Sequence, residues 1–130
     1  MFFTTTETRM SMVDLEDLAE VASITLTKPG HAGATYELCG PENLSLSDMV
    51  AAMEQHFGRE IKVETTQNEI FATQLKEHGA GDYQVDTLIK MFQHYNEHGF
   101  VGNPNVLMWI LGRKPKDFSS FILRTLKSKI

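Results

Sequence analysis

Apolar and polar positions along this chain alternate between two periods, and the change from one to the other divides it. Residues 9–13, 34–39 and 60–64 read as short strands, the last two alternating as a half-buried strand does, with Tyr36 and Leu38 on one face of the second. Between them lie helical patterns. Leu15, Leu18, Ala22 and Leu26 recur at helical spacing behind Asp14 as N-cap, with Glu16, Asp17 and Glu20 in the opening turns, until Lys28-Pro29-Gly30 ends the run. Leu46, Met49, Val50, Met53 and Phe57 form a second stripe, opened by Ser45 with Asp48 in the manner of a capping box and closed by Gly58.

Beyond residue 66 only the helical period continues. Asn68 is expected to cap a helix carrying Phe71, Ala72 and Leu75, and Asp82 one carrying Val85, Leu88, Ile89, Phe92 and Tyr95. Pro104 fits the first position of a helix to Leu111, and a last helix from about Asp117 is expected to bury Phe118, Phe121, Ile122 and Leu126. The expected class is α/β: strand and helix alternation over 10–65, an α-rich region over 66–130, and a disordered start at 1–9.

Composition narrows the setting. The chain has 130 residues, 42% hydrophobic and 22% charged, which suits one globular domain and excludes collagen-like or disordered classes. Its one cysteine, Cys39, rules out an internal disulfide and makes a reducing, cytoplasmic setting the expectation. The longest apolar run, 106–111, is too short for a bilayer, and the first residues lack the pattern of a secretory signal, so no membrane role is expected.

Charge is uneven. Residues 1–65 hold four basic and eleven acidic side chains, a balance of −7, against eight basic and six acidic, or +2, in 66–130. Arg113, Lys114, Lys116, Arg124, Lys127 and Lys129 read as a solvated basic face complementing helix ends, and the net charge of −5 argues against nucleic acid as a partner.

Candidate chemistry is sparse. Asp14 and Asp17 suit helix capping and polarisation better than paired acid–base work. His78 and His98, each in a Glu-His-Gly triplet, suit helix ends better than metal ligation. Gly79-Ala80-Gly81 follows a helix and has Gln84 where a third glycine belongs, so it is not a dinucleotide loop. Cys39 reads as a small buried residue, and Tyr36, Tyr83 and Tyr95 each lack a lysine four residues on.

A family resemblance rests on several segments in order: 13–22 around Asp14-Leu15-Glu16-Asp17-Leu18, Gly30-His31-Ala32-Gly33, Tyr36-Glu37-Leu38-Cys39-Gly40-Pro41-Glu42, Gly58-Arg59, and Leu111-Gly112-Arg113-Lys114-Pro115-Lys116-Asp117-Phe118. Together they resemble the C-terminal half of NmrA-like proteins, atypical relatives of the short-chain dehydrogenases and reductases. The resemblance implies the last strands of a Rossmann-like NAD(P)-binding sheet with a helical substrate-side region. It places the cofactor loop in a first half that no position here matches, so the chain is expected to be truncated relative to the family, to have no complete active site and to bind no NAD(P) alone. If 11–14 is a sheet strand, Ser11, Met12 and Asp14 face a ligand crevice for a small molecule, with Gly102, Asn103 and Trp109 on its substrate side. The alternative is an interaction or regulatory module pairing with a complementing chain, or with a copy of itself, through the uncovered sheet edge.

Overall fold

The computed structural model describes residues 6–63 and 66–127, and among these the chain forms six helices and no strand. They are α1 (Leu15–Thr27), α2 (Leu46–Phe57), α3 (Asn68–Glu77), α4 (Asp82–His98), α5 (Asn105–Leu111) and α6 (Phe118–Lys127). They pack in pairs, α1 on α5, α2 on α6 and α3 on α4.

Local chemistry sets most of the boundaries. Asp14 caps α1 by accepting the Glu16 N–H at 2.8 Å, and Pro29 stops it. In α2 the capping box is reciprocal: Ser45 Oγ accepts the Asp48 N–H at 3.1 Å while Asp48 Oδ2 accepts the Ser45 N–H at 3.0 Å. Three starts sit one residue from their expected places. Asn68 is the first residue of α3, behind Gln67, and makes no cap bond. Asp82 is the first residue of α4 and pairs with Lys76 at 2.8 Å, while the Gln84 side chain accepts the Gly81 N–H. Pro104 precedes α5, whose Asn105 N–H is taken by the Asn103 side chain at 2.8 Å.

The expected strands do not form, and the α/β expectation is corrected: the described fold is helical. Met10 pairs once with Leu44 in antiparallel sense and once with Phe100 in parallel sense, and the ladder goes no further. Residues 35–39 make no backbone hydrogen bond among the described residues. The Ile61 N–H goes to the Glu54 side chain at 2.8 Å, and Glu64 lies outside the described residues. The reason is that alternation fixes which face of a segment is apolar, while a strand exists only where successive backbone groups meet a neighbour. Here the neighbours touch by packing. A Cβ on Gly40 would stand 1.7 Å from the Met12 carbonyl oxygen, and one on Gly102 would stand 2.1 Å from Cys39 Sγ. The stretches around residues 12, 40 and 102 thus lie close together, and no sheet edge of the kind expected occurs among the described residues.

The core centres on Leu46, Met49 and Val50 of α2, packed against Met10, Leu44, Met53, Ile61 and Phe118. Val21 and Leu107 are buried where α1 meets α5, and Phe71 and Val85 where α3 meets α4. Ile122 is buried in α6 while Phe121 is largely exposed, and the Leu126 side chain lies outside the described residues. Of the expected disordered start, residues 6–9 are described: Thr8 is buried, and the Thr6 carbonyl accepts the Ser47 N–H at 3.1 Å.

One helix faces the opposite way from its pattern. In α1 the residues buried are Asp17 and Val21, whereas Leu15, Leu18 and Leu26 are 74%, 38% and 85% exposed. Ion pairs turn it so.

Candidate functional site

Acidic side chains at the start of α1 meet three cations from the other end of the chain. Asp17, fully buried, accepts the Arg113 guanidinium through Oδ1 at 2.8 Å and the Lys116 backbone N–H through Oδ2 at 2.6 Å. Asp14 Oδ2 takes Arg124 Nη2 at 2.8 Å; Glu16 Oε2 bridges Lys116 Nζ and Arg124 Nη1, both at 2.9 Å; and Glu20 pairs with Arg113. The basic segment expected to be a solvated face is in this part a clamp on α1, since a buried carboxylate is tolerable only when charge and hydrogen bonds replace its water.

Burial pushes the Asp17 carboxyl up, but the bonds from the Lys116 amide and Arg113, with the charges of Arg113 and Lys116, outweigh it and hold it below the usual carboxylate range. Asp14 behaves alike: burial raises it, and Arg124, the Glu16 amide and the charge of Lys116 bring it down. A carboxylate depressed in the folded state contributes stability above its unfolded pKa, about 3.9, and loses it as pH falls through the folded value. The melting temperature is therefore expected to stay level from pH 7 to about 5 and to fall steeply below about 4. Asp14→Asn with Asp17→Asn should flatten that acid limb, as calorimetry across pH would record; an unchanged limb would place acid sensitivity elsewhere.

The clamp walls a groove of about 380 Å³ between the start of α1 and α6. Met12, Leu15, Leu44, Phe118 and Phe121 give it apolar sides, with Asp14, Glu42, Lys116, Asp117 and Arg124 at its edges. Those edge charges already have partners. Glu42 Oε2 accepts the Phe118 N–H at 2.9 Å and Asp117 Oδ1 accepts the Ser120 N–H at 2.8 Å, so both close the start of α6. What the groove offers a ligand is apolar contact within a rim of satisfied charge, which suits a small, flat, largely uncharged molecule. A second cavity of about 350 Å³, lined by Pro104, Asn105, Met108, Lys114 and Pro115, shares Pro41, Glu42 and Asp117 with it.

The residues expected to line a crevice are only partly brought together. Met12 and Asp14 do line the groove. Ser11 is buried beside it: its hydroxyl donates to Asn43 Oδ1 at 2.6 Å and accepts the Gly102 N–H at 3.0 Å, tying 11 to 102 as a structural knot. Asn103 is occupied with the start of α5, and Trp109, 70% exposed, lines neither cavity. Phe118, Phe121, Arg113, Lys116 and Arg124 were not assigned to the site by sequence reading; the opposite charge balances of the two halves were the signal for the three cations.

Five of the six helix starts among the described residues are closed to a dinucleotide, and the seven-residue α5 is the one without a carboxylate at its start. A pyrophosphate needs open N–H groups at a positive helix start. Here carboxylates stand at the starts of α1 (Glu16, Asp17), α2 (Asp48), α3 (Glu69) and α4 (Asp82), and Asp117 with Glu42 closes α6. The Gly81 N–H behind Gly79-Ala80 is held by Gln84. No group of three metal-ligating side chains occurs among the described residues. His78 caps α3, its Nδ1 against the Gln74 carbonyl at 2.7 Å, and His98 ends α4. Burial and Glu37 push the Cys39 thiol up, away from a reactive thiolate. No helix among the described residues is long and apolar enough to cross a membrane.

Comparison with known proteins places this backbone. The chain is 26% identical over 115 residues to an NAD(P)H azoreductase of Xenophilus azovorans, a match covering 88% of this chain and 40% of that protein. An NADPH-dependent quinone oxidoreductase of Escherichia coli superposes with a TM-score of 0.76 at 19% identity, over 96% of this chain and 46% of that one. A Citrobacter triphenylmethane reductase, solved with NADP(H), does so at 0.74 and 14%, over 95% and 43%. No family model matches the sequence. The chain spans less than half the length of each of these proteins, and the matches bear out its resemblance to the C-terminal half of an NmrA-like protein.

Proposed function

We propose that this chain is the substrate-side portion of an NAD(P)-dependent reductase of the NmrA-like kind, which holds a small apolar molecule and does not itself carry hydride transfer. The groove between α1 and α6 is the observation that supports this: about 380 Å³, with apolar sides and every edge carboxylate already paired or capping. The names of the similar proteins agree in kind: the azoreductase is named for NAD(P)H, the quinone oxidoreductase is NADPH-dependent, and the triphenylmethane reductase was solved with NADP(H). Carboxylates at five of the six helix starts among the described residues support the other half of the reading, because they repel the phosphates a nucleotide would bring.

Two titrations test it. NADPH added to the purified chain is expected to give no saturable heat in calorimetry, and tight saturable binding would sink the proposal. 2-Naphthol, as a neutral flat probe, is expected to shift the NMR signals of Met12 and Phe118, and Phe121→Asp to weaken that binding at least about tenfold, since one buried aromatic contact is worth over 1.4 kcal/mol. Shifts scattered away from the groove, or indifference to Phe121→Asp, would remove the groove from the reading.

A further inference from the structure

Two imidazoles share the last turn of α4. His94 and His98 stand four positions apart with Glu97 between them, a spacing that puts all three on one face of the helix. We propose that His94 and His98 chelate one divalent transition-metal ion of the copper or nickel type, at a surface site separate from the groove.

Ring spacing supports the chelate. A histidine nitrogen binds such an ion at about 2.0 Å, which puts the ring centroid about 3.2 Å from the metal; two imidazoles at a right angle then have centroids about 4.5 Å apart, and two at the tetrahedral angle about 5.2 Å. The His94 and His98 rings stand 4.5 Å apart, tilted by 54°. That is the right-angled spacing, and Cu(II), which prefers it, also heads the usual order of affinity. Rotation of each exposed ring aims a nitrogen at the shared ion without moving the helix. The nitrogens are also uncommitted. Of the five histidines, His31, His56 and His78 engage Nδ1 with the Tyr36 hydroxyl at 2.8 Å and with the Ala52 and Gln74 carbonyls at 2.7 Å. The imidazoles of His94 and His98 make no such bond among the described residues; His98 Nε2 has only Glu97 Oε2 near it, at 3.7 Å.

Charge suits a cation here. The site lies at the carbonyl end of a 17-residue helix, where the dipole is negative, with the Glu97 carboxylate beside it. The nearest cations are turned elsewhere: Lys90, one turn before His94, pairs with Asp86 at 2.8 Å, and the Arg9 guanidinium pairs with Asp48 at 3.1 Å. No third ligating side chain joins the pair among the described residues, so water completes the coordination and the site binds without being enclosed. An ion across 94 and 98 staples the turn that carries Tyr95, which stacks on Phe100 at 4.5 Å; the Phe100 N–H in turn meets the Arg9 carbonyl at 2.9 Å. Metal binding therefore stabilises the whole fold as well as the helix end.

Calorimetric titration of nickel chloride into the untagged full chain tests the site. One ion is expected to bind per chain and to raise the melting temperature. His94→Ala and His98→Ala should each weaken binding at least about tenfold, because the second imidazole no longer acts from within the same molecule. His78→Ala, at the corresponding end of α3, should leave it unchanged. Absence of saturable binding overturns the proposal, and so does binding that survives both variants or falls equally in His78→Ala. Should an alanine variant lose its helical circular dichroism spectrum, electron paramagnetic resonance of the copper-loaded parent decides: coupling to two imidazole nitrogens is expected, and coupling to one or none overturns the chelate.

Discussion

Replacing Asp17 by alanine is expected to cost about 3 kcal/mol of stability, at the lower end of what removing one partner of a buried ion pair costs. Asp17 is fully buried and receives both the Arg113 guanidinium and the Lys116 amide. Hydrogen bonds to a charged group contribute about 1.5–3 kcal/mol each, and losing both would exceed the estimate if nothing compensated. Something does: Arg113 keeps Glu20 and the Lys116 ammonium keeps Glu16, both partners reached by water. The Lys116 N–H has no such substitute, so most of the loss sits there. Asp17→Asn, which keeps one acceptor, should lose about half as much, and Glu20→Gln, an exposed partner, under about 1 kcal/mol. Urea unfolding of the three variants measures the series. Equal effects for Asp17→Ala and Glu20→Gln would mean that α1 is not held by its buried carboxylate.

Gly40→Ala is expected to be comparably severe, at about 3 kcal/mol, the upper part of the usual range for overpacking. The added Cβ meets the Met12 carbonyl oxygen at 1.7 Å, and backbone cannot rotate aside as a side chain can. Two other glycines calibrate the claim. At Gly102 the nearest obstacle is the Cys39 sulfur, a side-chain atom, so Gly102→Ala should cost about 1 kcal/mol, toward the lower end of that range. At Gly81 the nearest atom is Gln84 Oε1 at 4.0 Å, in ordinary contact, so Gly81→Ala should stay within about 0.5 kcal/mol of the parent. Thermal melts that fail to follow the order Gly40, Gly102, Gly81 would show that residues 12 and 40 do not lie as closely as described.

Helices were legible because their signals are local. The Ser45–Asp48 box, the Asp14 cap and the glycines after α2 and α4 each act within four residues, and each stands where it was expected. The strands failed because their defining interaction is remote: Tyr36 and Leu38 alternate correctly, yet nothing within 34–39 specifies a neighbour. The orientation of α1 was hidden for a related reason. Its leucine stripe marks an apolar face, but the side it buries is decided by Asp17 and by Arg113 and Lys116, about a hundred positions away. Of the site, Met12 and Asp14 were reached through an expected strand end at 11–14, although no strand forms there. Phe118 and Phe121 were read as core, because an apolar residue facing a groove and one facing the interior look identical in sequence.

The clamp also orders events in time. Its bonds join residues 93 to 110 positions apart, a loop whose closure entropy is among the largest this chain can incur. α1 and α2, capped by their own side chains, can form before the clamp closes, but Asp14 lacks Arg124, and Asp17 lacks Arg113 and Lys116, until those residues have been made. A ribosome-tethered chain should therefore hold α1 loosely, resisting a protease there only once residues 113–124 have emerged.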